Sequence, residues 1–233
     1  MDDRKYLNIV AFYEDCLARH GDSHLGVGWP KQQDVFTRYR VMLDIVRPRA
    51  DGKQVRVLDF GCGSSHLYEY ILKNNIHDIE YAGLDILEEF IELSRRKFPA
   101  NRYFLADVLA SEEALPMFDY VVMNGVLTVK TPKLSFDEMF EYFKRLVTKM
   151  FGHAERGIAF NVMSKQVDWE RDDLFHLPLD MLACFLTKEL SRHFIIRNDY
   201  GLYEYTTYLY HVDSEGVDRF RLPLEIVGSQ PTM

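Results

Sequence analysis

Hydrophobic positions along the N-terminal part of the chain recur at helical spacing. Within residues 2–19 the stripe is Tyr6, Ile9, Val10, Tyr13 and Leu17, and Gly21 with the loop HGDSHLGVGWP (20–30) interrupts it. A second stripe, Val35, Phe36, Tyr39, Met42, Leu43 and Val46, ends at Pro48. Short apolar runs follow at Val55–Phe60, Glu80–Asp85, Arg102–Ala106, Phe118–Asn124 and Gly157–Val162, and they read as strands. Helical stretches at 66–74, 87–97 and 135–150 lie among them. The rhythm predicts an α/β fold, a parallel sheet with helices on both faces, under a cover of two N-terminal helices. Right-handed crossovers bring the C-terminal strand ends to one edge, where open α/β sheets bind ligands.

The end of the chain changes pattern. A helix is predicted over 178–191, followed by HFIIRNDYG (193–201) and YEYTTYLYHV (203–212), in which Tyr203, Tyr205, Thr207 and Leu209 alternate with Glu204, Thr206, Tyr208 and Tyr210. The link Tyr200-Gly201-Leu202 is too short for a crossover helix, so these last two strands should be antiparallel neighbours. One domain over 1–233 is expected, with a helical cover (1–50), a core (51–212) and a tail (213–233).

Composition narrows the function classes. The 233 residues are 47% apolar and 27% charged, ordinary for a globular protein, and no apolar run reaches the roughly 18 residues of a membrane span. The opening MDDRKYLNIVAFYEDC carries charges of both signs, unlike a signal or transit peptide. Three cysteines without a CxxC pair suit a reducing cytoplasmic compartment. A net charge of -8 with no basic block argues against a nucleic-acid partner and for a small-molecule substrate. Oligomeric state leaves no mark on the sequence.

The chemistry gathers at VLDFGCGSS (57–65), a strand running into a turn with two glycines. A dinucleotide fingerprint needs a third glycine where His66 stands, and no P-loop GK[ST] occurs, so the phosphate ligands fail on spacing. Asp59, two residues before Gly61, would repel a pyrophosphate and suits a cationic ligand; S-adenosylmethionine carries a sulfonium and an ammonium. Asp85 ends the next strand, where an acid can accept from ribose hydroxyls. Asp107 ends the third and could accept from an adenine amino group, with Ile86 and Val108 flanking the ring. Any one of these acids could simply cap a helix or form a turn. Three in succession, the first joined to GCG, favour one extended ligand. Cys62 reads as a small residue between glycines rather than a reactive thiol.

With VLDFGCGSS, YAGLDI, FLADV, FDYVVMNGVL and the terminal strand pair in order over 55–212, the chain resembles the class I S-adenosylmethionine-dependent methyltransferases. The family's D/E-x-G-x-G-x-G appears as Asp59, Gly61 and Gly63, with Ser65 at the last glycine. The resemblance implies a Rossmann-like seven-stranded sheet with its last strand antiparallel. It also implies cofactor contacts from Asp59, Gly61, Cys62, Gly63, Asp85, Ile86, Asp107, Val108, Asn124 and Gly125. The W-P-x-x-Q-x-x-x-x-R pattern at Trp29–Arg38, with GIAFNVMS and RNDYGLYEYTTYLYH, resembles a bacterial group whose substrates are largely unassigned.

Methyl transfer from a sulfonium needs alignment and exclusion of water, and a base only when the nucleophile is a hydroxyl. Asn124 follows the fourth strand, at the wall between cofactor and substrate, although N-G-V-L replaces the N-P-P-Y of amino-group methylases. His176 is the candidate base; Asn161, Asp199, Tyr200 and Tyr203 are candidates to shape the substrate pocket. Trp29 and Arg38 could close over the cofactor, Arg38 pairing with its carboxylate. His20 and His24 form no metal site, since Gly21 and Asp22 break the helix between them. The acceptor is expected to be a small molecule with an O- or N-nucleophile, such as a sugar or secondary metabolite. The rivals are a cofactor-binding module without catalysis, an RNA methyltransferase and a nicotinamide-dependent oxidoreductase.

Overall fold

The computed structural model describes residues 4–111 and 115–211; the predicted tail, 213–233, lies outside them. The first stripe becomes α1 (Leu7–His20) and the second α2 (Gln32–Leu43). Alternation follows with β1 (Val55–Phe60), α3 (His66–Lys73), β2 (Ile79–Asp85), α4 (Glu88–Lys97), β3 (Arg102–Leu105) and β4 (Phe118–Met123). Next come α5 (Phe136–Phe151), β5 (Ala154–Ser164), β6 (His176–Leu177), α6 (Leu179–Phe185), β7 (Phe194–Arg197) and β8 (Glu204–Tyr210).

The sheet runs β3-β2-β1-β4-β5-β8-β7, with β6 attached to β5. Strands β1 to β5 pair in parallel, and β8 runs antiparallel between β5 and β7. The predicted short antiparallel connection is therefore present. An eighth strand, β6, was not foreseen, because two residues carry no readable period. The predicted helix over 178–191 is α6 followed by a π-helical turn over Leu186–Leu190.

Every residue of β4 and β8 is buried, and Leu58, Val121 and Val122 are wholly enclosed, as strands covered on both faces must be. On one face α5 packs Phe143, Leu146 and Met150 against Leu58, Val121 and Phe160. Its start is fixed by a capping box, Ser135 accepting from the Glu138 backbone N–H while the Glu138 carboxylate accepts from Ser135. On the other face α2 and α3 place Tyr39, Met42, Leu67 and Ile71 over Val55, Val57 and Val122. The expected two-helix cover is thus divided. Helix α1 roofs the C-terminal strand edge, and α2 belongs mainly to the opposite layer.

Candidate active site

The strand-end edge opens into a cavity of about 1040 Å³, mouth included, large enough for a drug-sized ligand. Its floor is the turn after β1. Gly63 has φ +51°, and a Cβ there would lie 3.0 Å from Val27, so the position needs a residue without a side chain. Ser65, at the family's last glycine, also holds a left-handed conformation (φ +59°). Its hydroxyl donates to Ser94 Oγ at 2.8 Å and lies 3.2 Å from the Tyr103 hydroxyl, which offsets the strain of that conformation.

The three acids meet this cavity. Asp85 ties the end of β2 to the glycine turn: one oxygen accepts from Gly63 N–H at 2.9 Å and the other from Leu87 N–H at 3.0 Å. A carboxylate has about four acceptor positions, so two remain for hydroxyls. Burial raises its pKa, opposed by those backbone N–H groups. Asp59 accepts from the Tyr81 hydroxyl at 2.8 Å. Burial first, then the charge of Asp85, push its pKa up to about 7 despite the Tyr81 hydrogen bond. Asp107 accepts from the Tyr6 hydroxyl at 2.7 Å and from Leu109 N–H at 3.1 Å, with Val108 buried beside it and Ile86 half-buried across the cavity. Cys62 is buried and its thiol pKa is driven well up by burial, so it rests as a small, protonated side chain.

The fourth wall is the turn after β4. Asn124 lines the cavity, and its buried Oδ1 has no hydrogen-bond partner, an unused acceptor in a place where polar atoms are normally paired. Gly125 (φ +84°) is held from three sides. Its N–H donates to Asn161 Oδ1 at 2.8 Å, its carbonyl accepts from Tyr13 at 3.0 Å and from Thr128 at 2.9 Å, and Trp29 lies against its Cα side.

Several expected residues stand elsewhere. Arg38 does not line the cavity; it forks onto buried Glu204 (Nε 2.8 Å, Nη2 2.7 Å) with its guanidinium 4.1 Å from the Trp29 ring centroid. Its Nη1 is buried without a partner, but with its charge paired to Glu204 behind the wall it does not stand where a cofactor carboxylate in the cavity would meet it. His176 is buried in β6, away from the cavity lining. Its Nδ1 meets the Ser164 carbonyl at 2.6 Å and its Nε2 accepts from Arg171 N–H at 3.1 Å, so both ring nitrogens are engaged by backbone groups. Asn161 is buried beneath Gly125, Asp199 pairs with Arg197, Tyr200 bonds Thr206, and Tyr203 is exposed; none of the four lines the cavity.

Other residues emerged only in three dimensions. Tyr6, Ile9, Val10 and Tyr13 of α1 roof the cavity, and Tyr142 of α5 stacks on Tyr6 at 5.1 Å. The α1 stripe was the available signal, although a stripe does not say what it covers. His66 also lines the cavity and bonds Asp22 at 2.7 Å. Asp22, His66 and Glu69 offer a metal-like cluster, but Lys97 Nζ sits 2.8 Å from Asp22 and 2.6 Å from Glu69, so an ammonium already occupies the place between the two carboxylates.

Residues 58–149 match the family model described as a methyltransferase domain. The Mycobacterium tuberculosis protein Rv1506c, provisionally named a methyltransferase, is 27% identical over 152 residues, 64% of this chain and 88% of that one. Over its core the chain is therefore similar to methyltransferases. Solved methyltransferases share its fold. Magnesium protoporphyrin IX methyltransferase from Synechocystis, crystallised with S-adenosylmethionine, superposes with a TM-score of 0.56 at 17% identity, covering 91% of this chain and 98% of that one. The N-methyltransferase NodS of Bradyrhizobium japonicum, with S-adenosylhomocysteine, gives 0.57 at 14% identity, covering 87% and 98%. One name specifies magnesium protoporphyrin IX and the other only N-methylation, so the shared fold does not choose an acceptor for this chain.

Proposed function

We propose that this protein moves the methyl group of S-adenosylmethionine to a nitrogen or oxygen nucleophile of a small molecule, by in-line displacement in the cavity at the strand ends. The observation that carries the reading is the convergence of Asp59, Asp85, Asp107 and the unpartnered Asn124 Oδ1 on one cavity. S-adenosylmethionine supplies a methyl group already activated on a sulfonium. The chain's own part is to hold and align. Asp85 would accept from the ribose hydroxyls with its two spare positions, and Asp107 from the adenine edge between Ile86 and Val108. Asp59 would face positive charge with the Gly61–Gly63 turn beneath. Asn124 would accept a hydrogen bond from the nucleophile's N–H or O–H, turning its lone pair toward the methyl group, while α1 and Trp29 exclude water. The C–S bond breaks as the new bond forms, S-adenosylhomocysteine leaves as a neutral thioether, and the proton goes to solvent, after release from a methylated amine or before entry from an acidic hydroxyl.

The reading needs neither an extended basic surface nor a membrane: net charge is -8, and no helix among the described residues is long and apolar enough to cross a bilayer. Three unpaired thiols suit a reducing cytoplasm. Production of S-adenosylhomocysteine on adding small amine and hydroxyl acceptors tests it. Asn124→Ala should lower kcat about 10- to 100-fold, the loss of one positioning hydrogen bond. Turnover untouched by that change would remove Asn124 from the site.

A further inference from the structure

Resting on the methyl-transfer reading, we propose that the acceptor is a neutral or cationic molecule with a flat apolar or aromatic face, seated against Trp29, and that carboxylate- or phosphate-bearing molecules are turned away. Two independent sets of observations lead there, the charge of the cavity and the way its indole wall is built.

The cavity is lined by three carboxylates, Asp59, Asp85 and Asp107, and by no lysine or arginine among the described residues. Cations stand behind its walls rather than in its lining: Arg4 and Arg145 act on Tyr6 from outside it, and Lys97 and Arg38 are paired with carboxylates. Lys97 bonds Asp22, Glu69 and the Ser64 carbonyl. Arg38 lies over Trp29 with its fork on Glu204, whose side chain is 1% exposed. An anionic acceptor would give up hydration for a low-dielectric space whose carboxylates repel it, whereas the methyl donor's own carboxylate arrives beside the donor's ammonium as counter-charge. An amine or a neutral alcohol meets no such barrier, and a cation is drawn in.

Besides Asn124, Cys62 and His66, which is bonded to Asp22, the remaining lining is mostly aromatic and aliphatic, with Tyr6, Ile9, Val10, Tyr13, Trp29 and Tyr39 prominent. Trp29 is held at unusual expense. A closed circuit of contacts runs from its ring to Arg38, on to Glu204, through Asn161 Nδ2 (2.8 Å from Glu204), from Asn161 Oδ1 to Gly125 N–H, and back to Trp29. The return contact is so close that a Cβ on Gly125 would sit 2.5 Å from the indole. A buried ion pair is a poor source of net stability, since desolvation offsets its attraction. Its effect here is geometric. It pins an indole plane beside Asn124, at the wall where the nucleophile must lie, and it cancels the one positive charge behind that plane. A flat apolar acceptor stacks there without ordering the wall first.

The test uses the full chain with Trp169→Phe; Trp169 is 71% exposed and is the second of two tryptophans, so emission then reports Trp29. Protein loaded with S-adenosylhomocysteine is titrated with matched pairs: tyramine against 4-hydroxyphenylacetate, and benzyl alcohol against phenyl phosphate. The amine and the alcohol should perturb Trp29 emission at concentrations at least ten times lower than their anionic partners. Equal or tighter binding of the anions overturns the proposal, as does the absence of any response to all four at millimolar concentration. Calorimetry of S-adenosylhomocysteine on the same sample separates the two readings. No donor-product binding would sink methyl transfer, while the ranking measured without it still decides the acceptor class. Glu204→Gln, which uncovers the Arg38 charge, should narrow the gap several-fold; an unchanged gap contradicts the charge-cancelling role given to Glu204.

Discussion

If Asp59 faces the positive charge of the methyl donor, donor binding must release a proton. In the free protein burial and the nearby charge of Asp85 hold the Asp59 carboxyl at about 7, so near neutrality it is half protonated. A bound sulfonium and ammonium would favour the ionised form and pull that value down. If only the ionised form binds tightly, affinity follows the ionised fraction, which is about 0.03 at pH 5.5 and about 0.5 at pH 7.0. Affinity for S-adenosylmethionine should therefore rise roughly 16-fold over that interval, all of it below the pKa of roughly 8 expected for the ligand's own amino group. Calorimetry at pH 6 in two buffers of different ionisation enthalpy should show release of about 0.9 proton per donor bound. Asp85, also raised by burial, adds in the same direction, so Asp59→Asn assigns the effect: most of the pH dependence should vanish with it. S-adenosylhomocysteine, lacking the sulfonium, should show a weaker rise. A flat or falling profile, or proton uptake, refutes the placement of Asp59 against positive charge.

Three further measurements concern the empty protein and its turns, the first of them at the same carboxyl. A folded pKa raised above the unfolded one stabilises below the unfolded value, and that contribution is lost as pH rises through about 7. Asp59→Asn should therefore raise the Tm of the ligand-free protein at pH 8 by several degrees while weakening donor binding; the shift to about 7 sets a ceiling on the order of 4 kcal/mol, and a lowered Tm would show the charge is not the cost. Gly125→Ala puts a Cβ 2.5 Å from the Trp29 ring in a left-handed backbone, and should cost about 2–4 kcal/mol in denaturant melts with a shift in Trp29 emission. Unchanged stability and emission would mean that Trp29 is not wedged there. At Ser65 both replacements lose the bond to Ser94, but glycine also relieves the φ +59° strain, so Ser65→Gly should be more stable than Ser65→Ala by about 1 kcal/mol. The reverse order would remove the strain argument.

What could be read in advance was set by period and by local sequence. Strands β1 to β5 are apolar runs between turn signals, and the three-residue link before the last strand forced an antiparallel pair. The acids at 59, 85 and 107 converge because parallel strands end on one edge, a consequence of topology alone. Side-chain partnerships were not legible, because they join distant positions. Arg38 meets Glu204 across 166 residues, and Tyr6 meets Asp107 across 101. Arg38 was assigned to a ligand carboxylate for want of any view of Glu204. The sequence makes His176 a candidate base at the active edge. Two ladder positions beside Met163 and Ser164 instead bury it and engage both nitrogens. Both cover helices form, but the α2 stripe reaches the cavity only through Tyr39 while the α1 stripe roofs it, since a stripe marks a buried face without naming what it is buried against.

The central claim is that the cavity at the strand ends holds the methyl donor through Asp85. Calorimetric titration of the wild type and Asp85→Ala with S-adenosylmethionine, and with NADH as the control nucleotide, tests it most directly. Saturable, one-to-one donor binding by the wild type, weakened at least about tenfold in Asp85→Ala by loss of charged hydrogen bonds, with no heat from NADH, is the predicted result. NADH binding in place of the donor, or donor binding indifferent to Asp85→Ala, would contradict it.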